Sequence, residues 1–123
     1  MPHIQAEFYE AENGDQPAKL FLLSLEPKMQ AKMLMIIDIL QENGYELREP
    51  YSKHLEDGIF ELRAQQGSDI SRVFYFFYVD RKAILTNGFV KKTQKTPPKE
   101  IEKAKRFRAD YLKRRGENND DQL

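Results

Sequence analysis

Ile59-Phe60-Glu61-Leu62-Arg63-Ala64-Gln65-Gln66-Gly67-Ser68-Asp69-Ile70-Ser71-Arg72-Val73-Phe74-Tyr75-Phe76 is the stretch on which the fold turns. Its two arms are rich in β-branched and aromatic residues, and Gly67-Ser68 between them is turn chemistry. A two-residue turn of type II′, with Gly67 at positive φ, sets the register: Gln66 faces Asp69, Leu62 faces Val73, Phe60 faces Tyr75 and Arg63 faces Arg72. The apolar pairs then share one face and the two guanidinium groups the other. Like charges directly opposed in a sheet destabilise it. An anion lying between them removes the conflict, and planar guanidinium forks match phosphate oxygens. Glu61, on the same face as Arg63, offers the plainer alternative of a surface ion network.

Working outward, the period of two predicts strands over Ile59–Gln65, Ile70–Val79 and Lys82–Lys91, joined as an antiparallel meander. Upstream, Pro2–Tyr9 alternates weakly as a first strand, and Asn13-Gly14-Asp15 turns the chain. Pro17 then opens a short helix to about Ser24. Pro27 opens a second, in which Met29, Met33, Ile36, Ile37 and Leu40 recur at helical spacing and Asn43-Gly44 supplies the stop. The two form a helical hairpin whose apolar stripe is core. Downstream, Pro97-Pro98 ends the sheet, and Lys99–Arg114 carries Ile101, Ala104, Phe107 and Tyr111 on one face of a third helix. Residues 116–123 are polar and acidic and are expected to be a disordered tail, leaving 1–115 as a single domain of the α+β class.

The chain has 123 residues, no cysteine, and 20 basic against 20 acidic side chains. Thiolate metal sites and disulfides are therefore excluded. No secretory pattern opens the chain and no apolar run approaches a membrane span, so a soluble, cytoplasmic protein is expected. The even charge balance hides an asymmetry. Acids dominate up to Pro50, whereas from Arg81 to Arg115 only Glu100, Glu102 and Asp110 oppose a long run of bases. Such a split marks a basic face suited to nucleic acid, or a helix with a solvated charged side. The acidic half leaves the helical hairpin without an RNA-binding surface, so RNA is expected across the sheet face.

Lys91, Lys92 and Lys95 crowd one another, and neighbouring cations lower a lysine's pKa toward the range of general acid–base work. A meander is expected to carry the end of their strand away from the start of its neighbour, which leaves their distance from the arginines open. His54, beside Lys53, is either a proton carrier or an exposed histidine. With His3 and His54 so far apart a zinc site is not expected, and no glycine-rich phosphate loop or serine nucleophile elbow is present, so neither metal nor cofactor is expected.

The order Lys53-His54-Leu55-Glu56-Asp57-Gly58-Ile59-Phe60-Glu61-Leu62-Arg63, then Ser71-Arg72-Val73-Phe74-Tyr75-Phe76, then Gly88-Phe89-Val90-Lys91-Lys92-Thr93-Gln94-Lys95-Thr96-Pro97, resembles the RelE/ParE toxin superfamily and within it the phage-derived, HigB-like branch. The likeness spans about Phe8 to Tyr111. It implies a RelE-like fold: an N-terminal strand and helical hairpin on a mostly antiparallel twisted sheet, with a C-terminal helix against it. It further implies the toxin of a type II toxin–antitoxin pair, neutralised by a helix-turn-helix, HigA-like antitoxin and cutting mRNA on the ribosome without a metal. By that likeness Arg63, Arg72, Lys91, Lys92 and Lys95 are the catalytic set, while Lys53, His54, Lys82, Thr93 and Gln94 contact RNA. ParE-like relatives instead poison DNA gyrase, and a non-catalytic basic module that binds nucleic acid or only its antitoxin is the third reading.

Overall fold

A computed structural model describes residues 3–91 and 95–121, the side chains of 91 and 117–121 excepted. Nine elements follow one another. They are β1 (Gln5–Phe8), α1 (Pro17–Ser24), α2 (Pro27–Asn43), a 3-10 turn (Gly44–Glu46), β2 (Ser52–Glu56), β3 (Ile59–Gln66), β4 (Asp69–Tyr78), β5 (Lys82–Lys91) and α3 (Pro98–Asp121). The sheet order is β1-β5-β4-β3-β2, antiparallel except for the β1–β5 pair, so β4 is central.

Each helix begins where a proline can occupy the first turn without wasting an amide donor. Pro17 and Pro27 open α1 and α2, and Gly44, at φ 59, ends α2. The stripe Met29, Met33, Ile36, Ile37 and Leu40 is buried as its spacing requires. It packs with α1 on the sheet face made by Leu62, Ala64, Val73, Tyr75, Ala83 and Leu85. The opposite face presents Ile59, Phe74, Phe76 and Ile84 to Ala104, Phe107 and Tyr111 of α3. Three layers result, with α1 and α2 on one sheet face and α3 on the apolar part of the other. Burying both faces explains why β4 is apolar nearly throughout rather than strictly alternating.

Three elements add to the sequence reading. β2 is an added edge strand, joined to β3 through Asp57-Gly58, both at positive φ (52° and 76°). β1 pairs in parallel with β5, held also by the Ala6 amide donating to the Gln41 side chain at 3.0 Å. At the other end, the backbone of α3 continues past Arg115 to Asp121, because Gly116 alone, at a cost of about 1 kcal/mol, is a weak helix breaker.

A bulge in β5 positions the site. Val73 pairs with Gly88 but Tyr75 with Leu85, so β5 carries one extra residue at Thr86-Asn87. Both are buried polar residues with partners. The Thr86 hydroxyl reaches the Phe74 carbonyl at 3.3 Å, and the Asn87 amide donates to the Glu100 carbonyl at 3.5 Å. The extra residue reverses the facing of everything beyond it. Gly88 comes to lie against the hairpin, and Phe89 comes opposite Arg72. A Cβ at Gly88 would stand 2.5 Å from both the Arg72 carbonyl oxygen and the Phe21 ring, which is why only glycine fits.

Candidate functional site

The turn at Gly67, φ 63, delivers the expected register: Arg63 pairs with Arg72, Leu62 with Val73 and Phe60 with Tyr75. The two guanidinium groups do share a face, and Glu61 is placed between them. Its carboxylate oxygens lie 3.4 Å from Arg63 Nε and 3.7 Å from Arg72 Nε. Depth separates the two arginines. The Arg72 side chain is wholly buried, whereas 18% of the Arg63 side chain reaches solvent. Burial pulls the Arg72 guanidinium below its ordinary value; Glu61 opposes that shift and Arg63 adds to it. Phe89 supports Arg72 from the next strand, with its ring centroid 5.6 Å from the guanidinium carbon.

Lys95 and Thr96, just before α3, reach this group. Thr96 donates its hydroxyl proton to Glu61 at 2.8 Å, and Arg72 Nη1 reaches the Lys95 carbonyl at 3.5 Å. Glu61 thus joins three elements: its own strand, the central strand, and the strap that leads into α3. Thr96 and Phe89 were not singled out from sequence. The Thr96 contact is invisible there because its partner is 35 residues away.

Antiparallel pairing brings the end of β5 beside the start of β4, with Lys91 opposite Ile70, so the expected separation from the arginines is corrected. The Lys91 backbone is therefore two ladder positions from Arg72, and its side chain lies outside the described residues, as do Lys92, Thr93 and Gln94 entirely. Lys95 is exposed and holds its place through its carbonyl. Lys53 pairs with Glu61 on the β2–β3 ladder and is exposed at the sheet edge beside the carboxylate. His54, the next residue, falls to the other face. Its Nε2 accepts from the Gly58 amide at 3.1 Å and its ring meets Phe60 edge-on at 5.0 Å. Lys82 is not brought to the group. It pairs with Tyr78, six residues along β4 from Arg72 and so roughly 20 Å away, and it faces Glu7 at 3.4 Å.

α3 is fastened over the apolar half of this face. Arg108 holds the Asp57 carboxylate at 2.9 Å, and the Tyr9 hydroxyl donates to Asp110 at 2.6 Å. The arginine end is what α3 leaves to the strap.

A helical hairpin on a mostly antiparallel five-stranded sheet, with a C-terminal helix behind it, is a RelE-like fold. Sequence comparison agrees at the level of family. The model of the family "Phage derived protein Gp49-like (DUF891)" matches residues 20–109, most of the chain, and the protein belongs to that family, one of RelE-like toxins of the toxin–antitoxin type. An antitoxin partner is implied by that membership. No curated protein matches the chain. Among the described residues no helix is long and apolar enough to cross a membrane.

Proposed function

We propose that the protein is a metal-independent mRNA endoribonuclease of the HigB-like branch, acting on the ribosome in the cytoplasm and silenced by a helix-turn-helix, HigA-like antitoxin. The observation that carries this reading is the opposed pair Arg63 and Arg72, tied by Glu61 near the end of the sheet where β5 finishes at Lys91. Two cations on one face are costly to a fold and useful to a phosphorane.

In the proposed reaction the 2′-oxygen attacks phosphorus while its proton passes to a base. The bond from phosphorus to the 5′-oxygen breaks, and that oxygen takes up a proton. The products are a 2′,3′-cyclic phosphate and a free 5′-hydroxyl. Arg63, the exposed member, meets the phosphate. Arg72 lies behind it and keeps Glu61 and the strap in place; direct contact by Arg72 requires Lys95–Pro97 to lift. Lys91, Lys92 and Lys95 supply the proton carriers, as the sequence likeness implies. The need for a 2′-hydroxyl makes RNA the substrate.

The test is induction of the protein in cells, with mapping of mRNA 5′ ends and of plasmid supercoiling. In-frame cuts on translated messages, lost in Arg63→Ala, support the nuclease. Altered supercoiling over intact messages selects gyrase, and neither effect with retained antitoxin binding selects a non-catalytic module. Arg63 is the better probe because Arg72→Ala removes a buried side chain and disturbs the fold.

A further inference from the structure

Between α2 and the outer edge of β3 the surface sinks into a cleft of about 540 Å³. Lys32 and Met35 line it from α2, Glu49, Pro50 and Tyr51 from the connection before β2, and Arg63 from β3. The cleft exists because β2 begins only at Ser52. Beyond that point β3 is bordered by the chain at Tyr51, whose carbonyl accepts from the Arg63 amide at 3.0 Å, and by Lys32, whose ammonium caps the Gln65 carbonyl. That hydrogen bond fixes a cation at the α2 wall of a cleft that Arg63 also lines. Tyr51 is 39% exposed and Met35 is 53% exposed, so an aromatic ring and an apolar flank are open to solvent in a cleft that two basic residues also line.

This combination selects its ligand chemically. Lys32, bonded to a neutral carbonyl, and Arg63, which shares the single charge of Glu61 with Arg72, leave an excess of positive charge that favours an anion, and Tyr51 favours a flat apolar surface. Glu49 calls for a hydrogen-bond donor on that surface and repels a purely acidic chain. Single-stranded RNA presents all three, since its bases are free to stack on aromatic side chains and to offer their edges. We propose that this cleft is a nucleotide subsite, with phosphate on Lys32 and Arg63, base on Tyr51, and the exocyclic amine of adenine, cytosine or guanine donating to Glu49. Uracil offers Glu49 only its ring N3–H, flanked by two carbonyl oxygens that a carboxylate repels, so it is disfavoured. The subsite rests on the reading of Arg63 given under Proposed function, and it adds a hairpin residue, Lys32, to the RNA surface that the acidic N-terminal half was expected to exclude.

The probe is a fluorescein-labelled hexaadenylate, with hexauridylate beside it, titrated with the full chain at one fixed salt concentration and followed by anisotropy. The parent is expected to prefer hexaadenylate. Tyr51→Ala weakens its binding about 5- to 100-fold, the loss of one base stack, while Tyr51→Phe retains it. Lys32→Ala flattens the salt dependence by about 0.7 in the log–log slope, the share of one phosphate contact on a single strand. Glu49→Gln removes the preference over hexauridylate. Equal binding by parent and Tyr51→Ala, no binding by the parent, or displacement by a hexaglutamate peptide as readily in Tyr51→Ala as in the parent overturns the subsite. The assay needs neither ribosome nor cleavage. Message cutting that depends on Arg63, with hexaadenylate binding indifferent to Tyr51, overturns the subsite alone; Tyr51-dependent binding in a protein that cuts no message overturns the nuclease alone.

Discussion

Replacing Glu61 by glutamine keeps the shape of the side chain and an acceptor for Thr96 while deleting the charge that separates two arginines. The carboxylate is 1% exposed and stands 3.4 and 3.7 Å from the two Nε atoms. Removing one partner of a buried ion group costs about 3–5 kcal/mol, because the remaining charge stays desolvated. Arg72, wholly buried, carries most of that, and Arg63 less, since solvent screens it. For a chain of 123 residues the unfolding entropy near the midpoint is roughly 0.26 kcal/mol/K, so the melting temperature falls by roughly 12–19 °C. A thermal melt followed by circular dichroism reads this directly, and a total stability of roughly 6–18 kcal/mol leaves the variant folded at room temperature. Adding Arg72→Met to Glu61→Gln removes the stranded charge and recovers more than half of the loss. A single variant melting within about 3 °C of the parent, or a double variant no better than the single, would falsify the claim that Glu61 is the electrostatic centre of the group.

Arg63→Ala is expected to reduce message cutting by about 10²–10³-fold, the usual loss of one donor to a developing charge, with the melting temperature changed by less than a third of the Glu61→Gln shift; equal losses of stability and cutting would make Arg63 a structural residue. Gly88→Ala should cost about 1–3 kcal/mol in a denaturant titration, since the new methyl meets the Arg72 carbonyl as well as the Phe21 ring. Adding Phe21→Leu recovers only the part due to the ring, and full recovery counts against the backbone contact. At alkaline pH two hydroxyls control stability. Burial pushes Tyr75 up to about 12 against the pull of its Ser52 hydrogen bond, and burial, then Asp110, pushes Tyr9 up to about 12. Both folded values stand above the ordinary 10, so the stability they report is complete below pH 10 and is lost as pH climbs toward 12. Tyr75→Phe therefore flattens the fall in urea midpoint between those two pH values, and an unchanged slope refutes the assignment.

What could be read from the residues followed local chemistry. Gly67-Ser68 carried a register because a two-residue turn leaves no freedom, and the α2 stripe carried a helix because its period is unmistakable. β2 has a local signal too: Asp57-Gly58 after Ser52–Glu56 is a strong hairpin turn, with both residues at positive φ. The place of Lys91 near Arg72 also followed from antiparallel pairing alone. The parallel contact of β1 with β5 left no local trace, for Gln5 meets Lys82 across most of the chain. Nor did the bulge, since Thr86-Asn87 reads as ordinary polar sequence within a strand, yet it turns Phe89 toward the arginine. The opposed arginines were legible, while the burial of Arg72 was not, because it depends on a strap and a strand that arrive from elsewhere.

Gly88 leaves the sheet, at the arginine, as a partition one peptide thick. On one side stands the ring of Phe21; on the other, reached through the backbone of the same residue whose carbonyl Gly88 nearly touches, stands the Arg72 guanidinium. Nothing on the hairpin at this point is remote from Arg72, however far apart the two surfaces look from outside. A mutational scan that finds activity lost at Phe21 is therefore reading the wall shared with Arg72, and a second site on the hairpin is not needed to explain it.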